Sequence, residues 1–211
     1  MGLFFEAVES EARSRETGLI FDINSYLVHR RDNSACKPCF DLLEYTLAID
    51  LPDFVVKDGA FQAISQCAND FIALTNVRTE FITISFPTAI NNHFQDILSY
   101  NSEQSRGETY SIVVIVMKTY NLGLQAAVDH VADMCRETLD SYCEYKTKLP
   151  SWTPQIDRDV AEYIQGLDDW ISGSFHWAFI TERYFGVQND HIRKTGIIEL
   201  LPPGRVQANA A

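Results

Sequence analysis

A hydroxyl, a carboxylate and several amides stand close together in Gln95-Asp96-Ile97-Leu98-Ser99-Tyr100-Asn101-Ser102-Glu103-Gln104. Ser99 and Glu103 are i and i+4, so on a helix they share one face. Both offer hard oxygens of the kind that bind Mg²⁺. A third oxygen ligand would belong one turn earlier, at position 95, where a glutamine stands. Spacing alone favours the plainer alternative, a first helical turn whose polar groups are solvated. A second cluster, Arg30-Arg31-Asp32, holds planar cations that can pair bidentately with phosphate oxygens, or simply form a solvated charge patch. Arg183-Tyr184 sets a guanidinium beside a hydroxyl, with a surface ion pair to Glu182 and a buried ring as the alternative.

Other chemistry-bearing residues lead less far. Cys36-Lys37-Pro38-Cys39 is a C-x-x-C pair, but no βαβ pattern surrounds it, so it is expected to pack at a helix start. The five histidines show neither H-E-x-x-H nor zinc spacing. No third acid follows Asp168-Asp169 at helical spacing, which assigns that pair to the polar face of a helix. Most of the 13 Phe and 9 Tyr must be core, leaving a few to line a cation-stabilising pocket.

The elements that position these residues read as helices. Apolar residues recur at helical spacing from Phe4 to Ala12, and Asp22 caps a segment from Ile23 to Arg31. Pro38 suits the first turn of a helix running through Leu47, and Ala60 to Asn76 resumes the pattern after Leu51-Pro52-Asp53. Thr109 to Tyr120 and Leu124 to Leu149 follow, and Pro154 opens a last long helix with Val160, Ile164, Leu167 and Ile171 along one stripe. From Leu201 to Ala211 the chain reads as a tail. The class is all-α. Val77 to Gln95 departs from it: a strand-like, β-branched run with a mid-run proline has no partner here and is expected to be a loop.

Composition narrows the function classes. A chain of 211 residues fits one domain or a large piece of one. The formal charge of −12 repels a phosphate backbone, so no nucleic-acid partner is expected. An anionic substrate would need metal ions or a few well-placed arginines. No apolar run is long enough to span a membrane. Five cysteines without regular spacing and an acidic N-terminus without a basic n-region point to a reducing compartment, the cytoplasm.

Ser-Tyr-Asn-x-Glu-Gln-x-Arg-Gly at residues 99–107 resembles the second metal-binding motif of class I terpene synthases, Asn-Asp-x-x-Ser-x-x-x-Glu, in the form seen in mushroom-type fungal sesquiterpene synthases. Arg30 to Pro38 resembles that family's helix break, and Leu149-Pro150-Ser151-Trp152 and Trp170 to Gly186 resemble its C-terminal region, with protoilludene-forming enzymes the nearest form. The resemblance implies the C-terminal part of a class I terpenoid synthase helical bundle. It further implies farnesyl diphosphate as substrate and Mg²⁺ as cofactor, with Mn²⁺ second. Arg31 would sense diphosphate, with Ser34 and Ala35 at the break, Ala35 replacing the usual glycine. Asn76, Ser99 and Glu103 would bind metal, and Arg183 and Tyr184 diphosphate.

Joining Asn76 directly to Asp96 restores the motif's order and puts Asn76, Ser99 and Glu103 at i, i+4 and i+8. Every valine codon, as at Val77, begins GT, and Phe94-Gln95 can be encoded TTY-CAG, a usual intron end, so Val77–Gln95 reads as a translated, unspliced intron. If the insert is genuine, Gln95 takes the place of Asn76. No Asp-rich motif precedes Arg31, so residues 1–211 are expected to be one partial synthase domain lacking its N-terminal helices. As written, the chain is expected to be inactive or nearly so. The alternative is a non-catalytic helical remnant or interaction protein.

Overall fold

The computed structural model describes residues 2–17, 21–74, 96–107, 109–181, 184, 186–195 and 197–202. The Val77–Gln95 segment, read as a loop or an insert, lies outside them. Helix α1 (Gly2–Thr17) packs on α2 (Ile23–Asn33). The carboxylate of Asp22 accepts from the Ser25 amide at 3.0 Å, so α2 starts where the sequence predicts. Helix α3 (Cys36–Leu47) holds Pro38 in its first turn, where a missing N–H costs nothing. Pro52 is followed by a single turn, α4 (Asp53–Val56), where the sequence suggested only a connector; Val55, 0% exposed, anchors it. Helix α5 (Gly59–Leu74) begins with Asp58 accepting from the Ala60 and Phe61 amides.

After α6 (Asp96–Ser105) comes α7 (Ile112–Tyr120), later than the predicted start at Thr109 because Ser111 is extended, with φ −149°. Asn121 (φ 53°) turns the chain into α8 (Leu124–Thr147). Thr153 caps α9 (Pro154–Ile180), with Pro154 in its first turn as predicted. A 3₁₀ turn (Gly186–Gln188) and α10 (Asn189–Thr195) complete an all-α architecture without a strand among the described residues. No single described helix is long and apolar enough to cross a membrane.

Helix α5 is the centre of the bundle. It packs most extensively against α8 and also meets α2, α3 and α9, while α7 lies on α8. Ile64, Ala68, Ile112, Val116, Val131 and Leu167 are essentially inaccessible, and each large aliphatic among them contributes ~1.5–3 kcal/mol by leaving water. A Cβ at Gly166 on α9 would come within 2.7 Å of Leu43 Cδ2, so glycine sets how closely α3 approaches α9.

Asp168 corrects one expectation. It is not a solvated residue of the α9 polar face: the buried Tyr142 hydroxyl donates to its Oδ1 at 2.7 Å, and Lys146 Nζ donates to its Oδ2 at 2.9 Å. The amphipathic pattern could not show that α8 would bring two donors to this carboxylate. Burial first, and then the charge of Asp168, pushes the Tyr142 hydroxyl well above the usual phenol range, so it remains a donor. Asp169 is exposed as expected.

Candidate active site

The break between α2 and α3 is built around a residue in the left-handed region. Ala35 has φ 61° and ψ 9°, a conformation open to alanine at a cost of ~1–2 kcal/mol. No side chain of its own caps α3. Instead the Ser34 hydroxyl accepts from the Cys36 amide at 3.2 Å and donates to Asn69 Oδ1 at 2.7 Å. Asn69, buried within α5, in turn donates to the carbonyl of Arg31 at 2.9 Å. Asn69 thereby joins the end of α2 to the start of α3.

Arg31 is not a solvated charge. Its Nε and Nη2 donate to the two carboxylate oxygens of Asp70 at 2.6 and 2.8 Å, with side-chain exposures of 27% for Arg31 and 12% for Asp70. The bonded carboxylate raises the guanidinium's affinity for its proton despite partial burial. Arg30 donates to Asn33 Oδ1 at 3.1 Å and reaches the Ala73 carbonyl at 3.4 Å, one turn further along α5. Asn33 donates to the Tyr110 hydroxyl at 3.3 Å. Asp70 and Asn69 were not singled out from the sequence, because a polar pair in an apolar helix gives no local sign of its partner. Cys36 packs at the helix start as expected, and burial pushes its thiol up.

Ser99 and Glu103 lie on one continuous helix, one turn apart, with Glu103 half-buried. Asn76, Gln95 and Arg183 lie outside the described residues, as does the side chain of Ser99. Among the described residues no group of three His, Cys, Asp or Glu converges on a possible metal position. The expected ligand set, an amide, a hydroxyl and one carboxylate, is of another kind. Position 99 with 103 and position 101 with 104 fall about 150° apart around α6, on opposite faces.

That second face holds the start of the supposed tail. Asn101 is 8% exposed; its Nδ2 donates to the Glu199 carbonyl at 3.0 Å and its Oδ1 accepts from the Leu201 amide at 2.7 Å. Gln104 Nε2 donates to the Leu201 carbonyl at 2.7 Å. The tail expected from Leu201 onward is therefore anchored at its first residue. Nearer the end of α9, the rings of Trp177 and Tyr184 meet edge to face, 6.0 Å apart at 89°, and Asn189 donates to the Thr181 carbonyl at 2.9 Å.

This arrangement of helices is the bundle of the class I terpenoid synthases. Germacradien-4-ol synthase from Streptomyces citricolor superposes with a TM-score of 0.66, over 85% of this chain and 52% of that one, at 23% identity. A linalool/nerolidol synthase from Streptomyces clavuligerus, solved with 2-fluorogeranyl diphosphate, gives 0.65 over 83% and 55%, at 15% identity. The family described as "Terpene synthase family 2, C-terminal metal binding" matches residues 1–141, and the chain belongs to it. It is 46% identical over 200 residues to alpha-muurolene synthase of Coprinopsis cinerea, covering 95% of this chain and 43% of that protein. It is 47% identical over 202 residues to sesquiterpene synthase Agr3 of Cyclocybe aegerita, covering 96% and 51%. The chain spans about half the length of these relatives. Its family domain is a metal-binding one, which implies dependence on a divalent cation.

Proposed function

We propose that this chain is part of a sesquiterpene synthase that ionises and cyclises farnesyl diphosphate, with Mg²⁺ as the preferred ion and Mn²⁺ as second choice. The observation that carries the reading is the attachment of Arg31 to Asp70. It holds a fixed cation beside one face of α5. The helical phase that turns Asn69 and Ala73 toward α2 repeats at position 76, and, with residues 77–95 removed, at Ser99 and Glu103. Sensor arginine and metal motif then share one side of one helix.

Ser99 and Glu103 suit a divalent ion, since both supply hard oxygens from adjacent turns of an unbroken helix, with Asn76 as the proposed third ligand. Such an ion, when bound, supplies charge that stabilises departing diphosphate. The chain's own residues orient the substrate. Asp70 occupies the Nε and Nη2 side of Arg31, so phosphate oxygens approach from Nη1. Tyr184, and Arg183 next to it, would hydrogen-bond the same diphosphate from the end of α9.

As written, the chain is expected to turn over farnesyl diphosphate negligibly. Asn76 is separated from Ser99 and Glu103, and each lost electrostatic stabiliser costs ~10²–10³ in rate. Gas-chromatographic product analysis of three versions tests this: the chain as written, the chain lacking 77–95, and that chain joined to the N-terminal half of a relative. Product is expected from the third alone. Terpene from the first would overturn this account of the site, and none from the third would overturn the proposed activity.

A further inference from the structure

We propose that Asn101 and Gln104 are positioning residues that fasten residues 197–202 as a strap along the back of the metal helix, so that occupancy of the site on one face of α6 is felt by the strap on the other. The proposal rests on the functional reading above for the identity of the ligand, but the fastening itself stands on the geometry alone.

An asparagine side chain carries the same donor and acceptor pair as a peptide unit. Asn101 uses both, giving to the carbonyl of Glu199 and receiving from the amide of Leu201, as a neighbouring strand would. Gln104, one turn on, takes the Leu201 carbonyl, so both polar groups of Leu201's backbone are held by α6. Gln104 Nε2 also reaches the Asn101 carbonyl at 3.2 Å, which ties the two clamp residues to each other. Apolar burial holds the strap only in part: Ile197 and Leu200 are 63% and 52% exposed, and Ile198 and Leu201 are half-buried. Polar fastening is what a segment needs when it must stay in register without a core of its own.

The placement gives the clamp its role. By helix register positions 99 and 103 fall on one side of α6 and 101 and 104 on the other, so any ordering of the helix by a ligand at Ser99 and Glu103 also steadies the clamp. At its other end the strap continues from α10, which Asn189 ties to the Thr181 carbonyl, close to Tyr184. The two proposed halves of the diphosphate site, the end of α9 and the metal face of α6, are thus joined through the strap.

The test is hydrogen–deuterium exchange of the chain as written, without ligand and with saturating Mg²⁺ and inorganic pyrophosphate. Gln104→Glu keeps the shape but removes the donor to Leu201, and Gln104→Lys restores a donor. Without ligand, exchange across 197–202 should be about fivefold faster in Gln104→Glu than in the original chain, and near-original in Gln104→Lys. With ligand, the original chain and Gln104→Lys should gain protection in the strap as well as in α6, and Gln104→Glu in α6 only. Equal ligand-free exchange in all three would overturn the clamp. Ligand protection of α6 that never reaches the strap would overturn the coupling and leave the functional reading standing. Protection gained nowhere would overturn the coupling, while the functional reading is decided by the product analysis of the three versions and the ligand-free comparison still decides the clamp.

Discussion

Replacing Asp70 by asparagine removes the charge that Arg31 is held by and keeps the volume. The magnitude follows from exposure. Fully exposed ion pairs contribute ~0–1 kcal/mol, and stripping one partner from a fully buried pair costs ~3–5 kcal/mol. Here Asp70 is 12% and Arg31 27% exposed, so water can partly replace the lost carboxylate, and a loss of about 2 kcal/mol is expected. Asparagine can still accept one bond through its carbonyl, but its NH₂ then faces a guanidinium N–H. Urea unfolding of Asp70→Asn, Arg31→Met and the double variant isolates the pair. The expected coupling is about 1–2 kcal/mol. Coupling below about 0.3 kcal/mol would refute the claim that this is a desolvated, bidentate pair. The same variant bears on binding. Asp70 fixes Arg31 and leaves Nη1 free for phosphate, so pyrophosphate with Mg²⁺, followed by calorimetry, should bind Asp70→Asn up to about tenfold more weakly, the equivalent of ~1.4 kcal/mol. Unchanged or tighter binding would show that Asp70 does not position Arg31 for the ligand.

Ala35→Gly should stabilise the chain by roughly 0.5–1 kcal/mol, the relief of the left-handed strain less the extra freedom glycine has when unfolded, and a thermal melt that falls instead would refute the strain. Alkaline pH should destabilise. Burial pushes the Tyr163 hydroxyl up to about 12 from 10.0, so the unfolded chain gives up that proton first. The share of stability due to Tyr163 is whole below about pH 10 and is lost by about pH 12, roughly 2–3 kcal/mol, read as the difference from Tyr163→Phe in a pH series of urea midpoints. Tyr163→Phe should flatten that decline.

The helices themselves were legible because their punctuation is local. Asp22, Pro38 and Thr153-Pro154 act within a few residues of where they stand, and the stripe from Val160 to Ile171 needs only periodicity. What stayed hidden depends on pairs distant in the chain. Asp70 and Asp168 both looked like ordinary polar positions, yet each meets a cation that another helix supplies. Asn101 and Gln104 were visible inside a motif, but the motif spoke only for its Ser99 and Glu103 face. Leu201 looked like the start of a tail since its partners, being side chains rather than a strand, leave no pattern in its own neighbourhood. The turn at α4 was missed for a different reason: four residues are too few for periodicity to register.

Asn69 and Asp70 hold the same residue of α2 in two ways, one by its backbone carbonyl and one by its guanidinium. Adjacent positions on a helix differ by about 100° in direction, so only one rotational setting of α5 satisfies both. Turned by one residue either way, α5 would offer Ala68 with Asn69, or Asp70 with Phe71, and one of the two grips would be lost. The azimuth of α5 is thus keyed upstream of Leu74, independently of anything that follows it in the chain. If residues 77–95 were removed, the setting of α5 up to Leu74 would stand unchanged.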